Sequence, residues 1–313
     1  MGKQKVAVVG TGMVGASYAY SLVNQGLVDE LLFINIDKKQ AQAHADDIIH
    51  GTCFLPKQPK IYVGDFKDCV DADVVCITAG AAQLPGETRL DLVEKNAKIM
   101  KTIVSQVMES GFDGIILIAS NPVDIMTQVA QKVSGLPHHK VIGSGTTLDT
   151  ARFRSNLANY LGYNSTNIHA YIIGEHGDSS LPLWSTATLG QHLLLDVVND
   201  SNGKFNMEGL KKCYTDSRDA AYSIIEGKGS TYFGIGIALT KITKSILSDQ
   251  DTILTVSAYL NGEYNQSGIY IPVPCMVGKH GIKEIQKLNI TKKEQELFDA
   301  SADTLREYLK KID

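Results

Sequence analysis

The stretch KVAVVGTGMVGASYAYSLVNQG, residues 5–26, decides the fold. It opens with an unbroken apolar run ending in glycine, the pattern of a strand buried on both faces. It closes with helical periodicity that stops at Gly26. Between the two lies G-x-G-x-x-G, with Gly10, Gly12 and Gly15. After a strand and at a helix start, these glycines permit a tight turn and close backbone approach to a pyrophosphate, which rests on the helix N-terminus. Gly10, Gly12, Met13, Val14 and Gly15 are therefore expected to hold a dinucleotide. The plain alternative is a glycine turn without a ligand, and the strand–turn–helix context weighs against it.

The same alternation continues outward. LLFINI (31–36), KIYVGD (60–65), DVVCITAG (73–80), GIILIAS (114–120) and KVIGSG (140–145) read as buried parallel strands with helical segments between them. That rhythm predicts an α/β fold built on a doubly wound parallel sheet. After about residue 145 it changes. TTLDTARFRSNLANYLG reads as a long helix, IHAYIIG as a strand, and residues 207–248 as helices broken at GKGST. TILTVSAYLNGEYNQSGIYIPVPCMVG reads as antiparallel strands. Thr291 with Glu294 three positions on is a capping box before a last amphipathic helix. The expected division is a dinucleotide-binding domain over 1–143 and a mixed α/β catalytic domain, of antiparallel strands and helices, over 144–313. No Pro/Gly-rich linker separates them, so a tight interface is expected.

Composition narrows the function. At 313 residues, 43% hydrophobic and 20% charged, the chain can bury a sizeable core and is ordinary for a globular protein. A net charge of −4 leaves no basic footprint for nucleic acid or an anionic membrane. No apolar run reaches the length of a membrane span, and the opening residues pass straight into a strand with no leader pattern. The five cysteines form neither C-x-x-C nor a Cys/His metal spacing, so no metal is expected and a reduced, cytoplasmic setting fits.

Three further clusters carry chemistry. In IIGEHGDSSLP, His176 stands among Gly, Glu and Asp at a strand end, polar and exposed, and histidine suits proton exchange with a carbonyl or hydroxyl. In TTLDTARFR, Asp149 and Arg152 are three apart on one helical face. A carboxylate can fix a histidine tautomer, and an arginine can hold a substrate carboxylate with two parallel hydrogen bonds. The bland alternative is a surface ion pair, worth roughly 0–1 kcal/mol, and these two clusters alone do not choose. In AGAAQLPGETRLDLVEKN, a loop leaving the strand at Gly80 would close over a ligand and carry Arg89 at its far end. A cation at a helix start opposes the helix dipole, which favours a functional role for it.

Taken in order, GTGMVG, AGAAQLPGETRLDLV, SNPVD, GSGTTLDTARFR and IIGEHGD resemble a bacterial-type L-lactate dehydrogenase over essentially the whole chain. The resemblance implies a Rossmann NAD domain, a catalytic domain, reversible pyruvate reduction to L-lactate with NADH, and a homotetramer. It implies that His176 donates the proton to pyruvate and that Asp149 orients it. Arg152 would bind the substrate carboxylate, and Arg89 would polarise the carbonyl after loop closure. Asn121 would hydrogen-bond near the carbonyl and the nicotinamide. Thr231 would lie beside the substrate, with Ile235 near the nicotinamide ring and Gly80 at the cofactor. It also implies activation by fructose 1,6-bisphosphate through an arginine and a histidine from each of two subunits, matched here by Arg154 and His169.

Three other readings compete. A metal- and NAD-dependent glycosidase needs a metal-ligating set that the sequence lacks. A non-enzymatic dinucleotide-binding protein has no use for His176, Asp149, Arg152 and Arg89. Malate dehydrogenase is the serious rival, but a second substrate carboxylate needs a cationic partner, and the specificity position holds neutral Gln83. One residue departs from the pattern. Where the resemblance places an acid to grip the adenosine ribose, this chain has Asn35. Asparagine still hydrogen-bonds a hydroxyl but no longer repels a 2′-phosphate. NAD is therefore expected as the preferred cofactor, with relaxed discrimination against NADP.

Overall fold

A computed structural model of the chain describes residues 3–81 and 89–312. In the first half, strands β1 (Lys5–Val9), β2 (Glu30–Ile34), β3 (Lys60–Val63), β4 (Val74–Ile77), β5 (Ile115–Ile118) and β6 (Val141–Gly143) alternate with helices α1 (Met13–Asn24), α2 (Lys38–His50), α3 (Arg89–Glu109) and α4 (Val123–Ser134). Every residue of β1, β2, β4, β5 and β6 is buried. Unbroken Val/Ile/Leu runs can be buried on both faces only if helices cover both sides of the sheet. β1 pairs in parallel with β2 on one side and β4 on the other, Val9 opposite both Ile34 and Ile77. The strand order therefore reverses at β1, which opens a crevice at the carboxyl ends of the strands, where such sheets bind ligands.

The second half begins with α5 (Thr147–Leu161) and short strands β7 (Ile168–His169), β8 (Ile172–Ile173), β9 (Leu181–Pro182), β10 (Thr188–Leu189) and β11 (His192–Leu193). Helices α6 (Leu194–Asn199), α7 (Met207–Lys228) and α8 (Phe233–Leu247) follow, then β12 (Thr252–Asn261), β13 (Ser267–Gly278), β14 (Gly281–Ile285) and α9 (Lys292–Leu309). β12 and β13 are antiparallel as expected, β14 adds a further antiparallel strand beyond the stretch that was read, and β12 also pairs with β6 through Ser257 and Gly143. One nine-stranded sheet thus runs through both halves, in the order β14-β13-β12-β6-β5-β4-β1-β2-β3. This is the α/β fold read from the sequence, a Rossmann doubly wound parallel sheet plus a mixed α/β half. The α9 capping box forms with both of its hydrogen bonds.

One strand differs from expectation. IHAYIIG is two pieces, β7 pairing with β10 and β8 with β9, in separate small sheets. A two-residue strand has no periodicity to read, which is why the partners β9, β10 and β11 were also illegible. The halves touch closely. Tyr18 on α1 and Thr243 on α8 share a 2.6 Å hydrogen bond, and a Cβ added at Gly236 would lie 3.0 Å from Ser17. All five cysteines are free, Cys53 exposed and the others buried. No helix among the described residues is long and apolar enough to cross a membrane.

Candidate active site

The glycine turn is shaped by what it excludes. Gly10 has φ +94°, and a Cβ there would meet the Ala79 backbone at 2.7 Å. A Cβ on Gly15 would lie 2.0 Å from the Gly10 carbonyl oxygen, so the turn and the first turn of α1 nest only without side chains. Gly12 is different, for a Cβ there meets nothing within 4 Å. It is the N-cap of α1 and gives no side-chain capping bond, so its open flank and the unpaired N–H groups behind it suit a pyrophosphate. The Thr78 hydroxyl donates to the Gly10 carbonyl at 2.6 Å and fixes the turn.

Asn35 follows β2 directly beside this turn. Its Nδ2 donates to Thr11 Oγ1 at 2.8 Å and to Gln40 Oε1 at 2.9 Å. Its amide oxygen is the atom left to receive a ribose hydroxyl. Gly80 is exposed at the end of β4. Next to it, buried Asn96 of α3 accepts from the Ala81 N–H and donates to the Asn121 carbonyl, both at 2.8 Å.

On the other side of the crevice, the loop 174–180 joins β8 to β9 and carries His176. The Thr146 hydroxyl donates to the Ile172 carbonyl at 2.5 Å, and the Ile172 N–H donates to Thr150 Oγ1 at 3.0 Å. These bonds pin β8 to α5 and bring His176 against Asp149. The ring Nδ1 lies 2.6 Å from Asp149 Oδ2, while Arg152 donates to Asp149 Oδ1 at 3.3 Å. This is no surface pair, since the Asp149 side chain is 12% and the Arg152 side chain 16% exposed. His176 is partly buried rather than exposed, its side chain 30% accessible. Its Nε2 is the ring nitrogen left for a substrate.

Burial alone would push the His176 pKa down. The Asp149 carboxylate, with the charge of Asp124 behind it, reverses this and lifts it to about 9. Burial likewise disfavours the Asp149 carboxylate, but His176 and Arg152 hold its pKa below the usual value. The cluster is thus an imidazolium and a guanidinium sharing one carboxylate, able to donate a proton beside a bound anion. A second acid stands behind it. Asp124, 2% exposed on α4, accepts from the His176 backbone N–H at 2.8 Å and from Ser257 Oγ at 2.5 Å. Burial lifts its own pKa to about 7, against the hydrogen bonds from Ser257 and His176.

Other expected residues fall around this crevice. Thr231 and Ile235 are half-buried, Thr231 in the break between α7 and α8 and Ile235 in the first turn of α8. Their neighbour Ser230 donates to the sulfur of exposed Met13 at 3.5 Å, which brings this segment to the glycine turn. Half-buried Val14 packs on the core, and Asn121 is exposed at the end of β5. Gln83 and the Arg89 side chain lie outside the described residues, as does the loop expected to close. Arg154 is directed elsewhere. Its Nε donates to the Ala170 carbonyl at 3.0 Å, beside exposed His169, and its guanidinium lies 5.2 Å from the centre of the Tyr171 ring. Asp124, Asn96, Thr11 and Gln40 went unread in the sequence. Three of them lie inside motifs that were read for other residues, Thr11 in GTGMVG, Asn96 at the end of AGAAQLPGETRLDLVEKN and Asp124 at the end of SNPVD.

A dinucleotide cradle at the switch point of a doubly wound sheet, facing a histidine, aspartate and arginine cluster, is the make-up of a nicotinamide-dependent dehydrogenase. The chain belongs to the lactate/malate dehydrogenase family. Residues 4–143 match its NAD binding domain and residues 146–313 its alpha/beta C-terminal domain. The chain is 52% identical to an L-lactate dehydrogenase of Geobacillus sp. (strain WCH70) over 305 residues, 97% of this chain and 95% of that protein. Among solved structures, it is similar to a lactate dehydrogenase from a Medee basin deep-sea metagenome library, with TM-score 0.97 and 48% identity over 100% of this chain and 99% of that one. It is also similar to the ligands-bound form of the minor L-lactate dehydrogenase of Enterococcus mundtii, with TM-score 0.97 and 43% identity over 99% of each chain.

Proposed function

We propose that the protein is an L-lactate dehydrogenase that reversibly reduces pyruvate to L-lactate with NADH. The observation that carries this reading is Asp149, whose two oxygens hold a proton donor and an anion-binding cation side by side. When bound, the nicotinamide supplies the hydride that reaches substrate C2. Arg152 binds the substrate carboxylate, and charge complementarity there excludes neutral carbonyl compounds. His176 passes its proton to the carbonyl oxygen from Nε2, and Asp149 holds the ring and stabilises its charged form. Arg89 stabilises negative charge developing on that oxygen. Asn121 and Thr231 line the substrate, and neutral Gln83 favours a monocarboxylate. Gly10, Gly12, Met13, Val14, Gly15, Asn35, Gly80, Asn121 and Ile235 hold the cofactor, with NAD preferred and NADP less strongly rejected.

The units are read as residues 1–143 for cofactor and 144–313 for substrate. A homotetramer in the cytoplasm fits the chain, and large exposed apolar side chains such as Phe54, Phe233 and Ile237 are of the kind that subunit contacts cover. Fructose 1,6-bisphosphate would bind at Arg154 and His169 and favour the assembled, high-affinity state. The separate partners of Arg152 and Arg154 support this, since one guanidinium can read substrate while the other reads effector. The test is initial rates on pyruvate, oxaloacetate and 2-oxoisocaproate with NADH and with NADPH, each with and without the bisphosphate. Pyruvate with NADH should be fastest, and the bisphosphate should lower the pyruvate concentration for half-maximal rate. Faster oxaloacetate reduction would overturn the lactate reading. An unchanged pyruvate curve would remove the effector role.

A further inference from the structure

The amide of Asn35 is held in a chain of hydrogen bonds, Thr11–Asn35–Gln40, that can run in either direction. Both Nδ2 hydrogens point inward, to Thr11 Oγ1 and Gln40 Oε1. Among the described residues none donates to Oδ1, so the outward face of Asn35 is an acceptor. Each member of the chain is amphoteric, because a hydroxyl donates or accepts and each amide exchanges its N and O by a half-turn of the terminal torsion. Turned over, Thr11 and Gln40 donate to Oδ1, and both Nδ2 hydrogens face outward. No backbone moves, and no inward hydrogen bond is lost. Gln40 is itself anchored, since its backbone N–H donates to Asp37 Oδ1 at 3.0 Å in the N-cap of α2.

The two arrangements present opposite chemistry to the adenosine ribose. A ribose hydroxyl, which donates and accepts, fits either one. A 2′-phosphate only accepts, so it fits only the turned arrangement, where two N–H groups meet it. An aspartate at this position has no second arrangement. We propose that Gln40, through the direction in which it polarises Asn35, sets how strongly this protein discriminates between the unphosphorylated and 2′-phosphorylated forms of its dinucleotide. The proposal rests on the cofactor site argued above and names a specificity-determining residue that acts through its hydrogen bond to Asn35.

The test is calorimetric binding of ADP-ribose and 2′-phospho-ADP-ribose, which lack nicotinamide, so no turnover enters. Gln40→Glu offers only acceptors and locks Nδ2 inward, and it should raise the ratio of the two dissociation constants about tenfold, the worth of one charge-assisted hydrogen bond. Gln40→Lys offers only donors, locks Nδ2 outward and should lower the ratio similarly. The new charges also act through space, but at about 0.5 M salt exposed charges are largely screened, and the effect should persist there. In an Asn35→Asp background, which cannot turn over, the Gln40→Glu effect should vanish. An effect lost in salt, or equal in both backgrounds, would overturn the proposal. Wild type that binds neither probe would overturn the cofactor site itself.

Discussion

Asp149→Asn keeps the shape of the side chain and removes its charge. In the wild type, the shift of the His176 pKa from 6.5 to about 9 amounts to about 3 kcal/mol in favour of the imidazolium, at about 1.4 kcal/mol per pKa unit. Removing the carboxylate leaves the burial in place, and burial favours the neutral ring, so His176 should titrate at or below 6.5 in the variant. The wild-type rate of pyruvate reduction, which consumes the proton, should stay level through neutrality and fall as pH passes about 9. Lactate oxidation, which needs the neutral ring, should rise over the same range. In Asp149→Asn both limbs should move below neutrality, and kcat/KM for pyruvate should fall several-fold at neutral pH and on the order of a hundredfold near pH 9. Stability follows the same group. Its contribution is fully present below the unfolded value of 6.5 and is lost as pH rises through about 9, so the wild-type Tm should decline across that window and the variant's should not. The assay is kcat/KM against pH in both directions, with thermal melts beside it. An alkaline limb that stays near pH 9 in a folded Asp149→Asn would refute this account of the site.

Two glycines should separate folding from cofactor binding. Gly15→Ala places a methyl 2.0 Å from a carbonyl oxygen and should cost several degrees of Tm along with NADH binding. Gly12→Ala places one in open space and should leave the Tm unchanged while weakening NADH binding, read by fluorescence titration. Arg152→Lys keeps the charge but loses the two-pronged geometry. It should raise the pyruvate KM roughly ten- to a hundredfold, the worth of one charged hydrogen bond of about 1.5–3 kcal/mol, and an unchanged KM would remove Arg152 from the substrate. Gln83→Arg supplies the cation that a second carboxylate needs and should shift kcat/KM toward oxaloacetate by several kcal/mol, roughly the scale of a desolvated charge pair, and no shift would remove Gln83 from the specificity position.

The parallel half of the fold was legible because its strands are buried on both faces, so each had to be written as an unbroken apolar run ended by a glycine or polar turn. Positions 5–10, 31–36 and 114–120 all appear in the structure within a residue or two of where the run begins. Of the short strands between Ile168 and Leu193, only the run IHAYIIG was legible, and as one strand rather than two. β8 is placed by α5 hydroxyls rather than by any pattern of its own, and it pairs with β9 across loop 174–180. Nor could the sequence show β12 joining β6, because that contact depends on which edge of the parallel sheet is left open.

The site divides along the same line. Residues proposed to meet ligand sit in short motifs whose residue types announce chemistry, as in GTGMVG or GEHGD. Of the residues that hold those groups in place, Asp149 was legible beside Arg152, but the support given by Asp124 and Asn96 was not, because a buried Asp or Asn becomes a support only once folding brings a partner to it. Asp124 lies 52 residues before His176 and acts on its main chain, and Asn96 lies 25 residues before the carbonyl it holds. Asn35 falls between the two cases. The sequence shows that a negative charge is missing from the ribose position, and from that alone weaker rejection of a 2′-phosphate follows. It does not show that the amide is gripped by two partners able to reverse with it. That grip decides whether the outward atom is an oxygen or a nitrogen, and so whether the lost charge becomes tolerance of a phosphate or only a weaker hold on a hydroxyl.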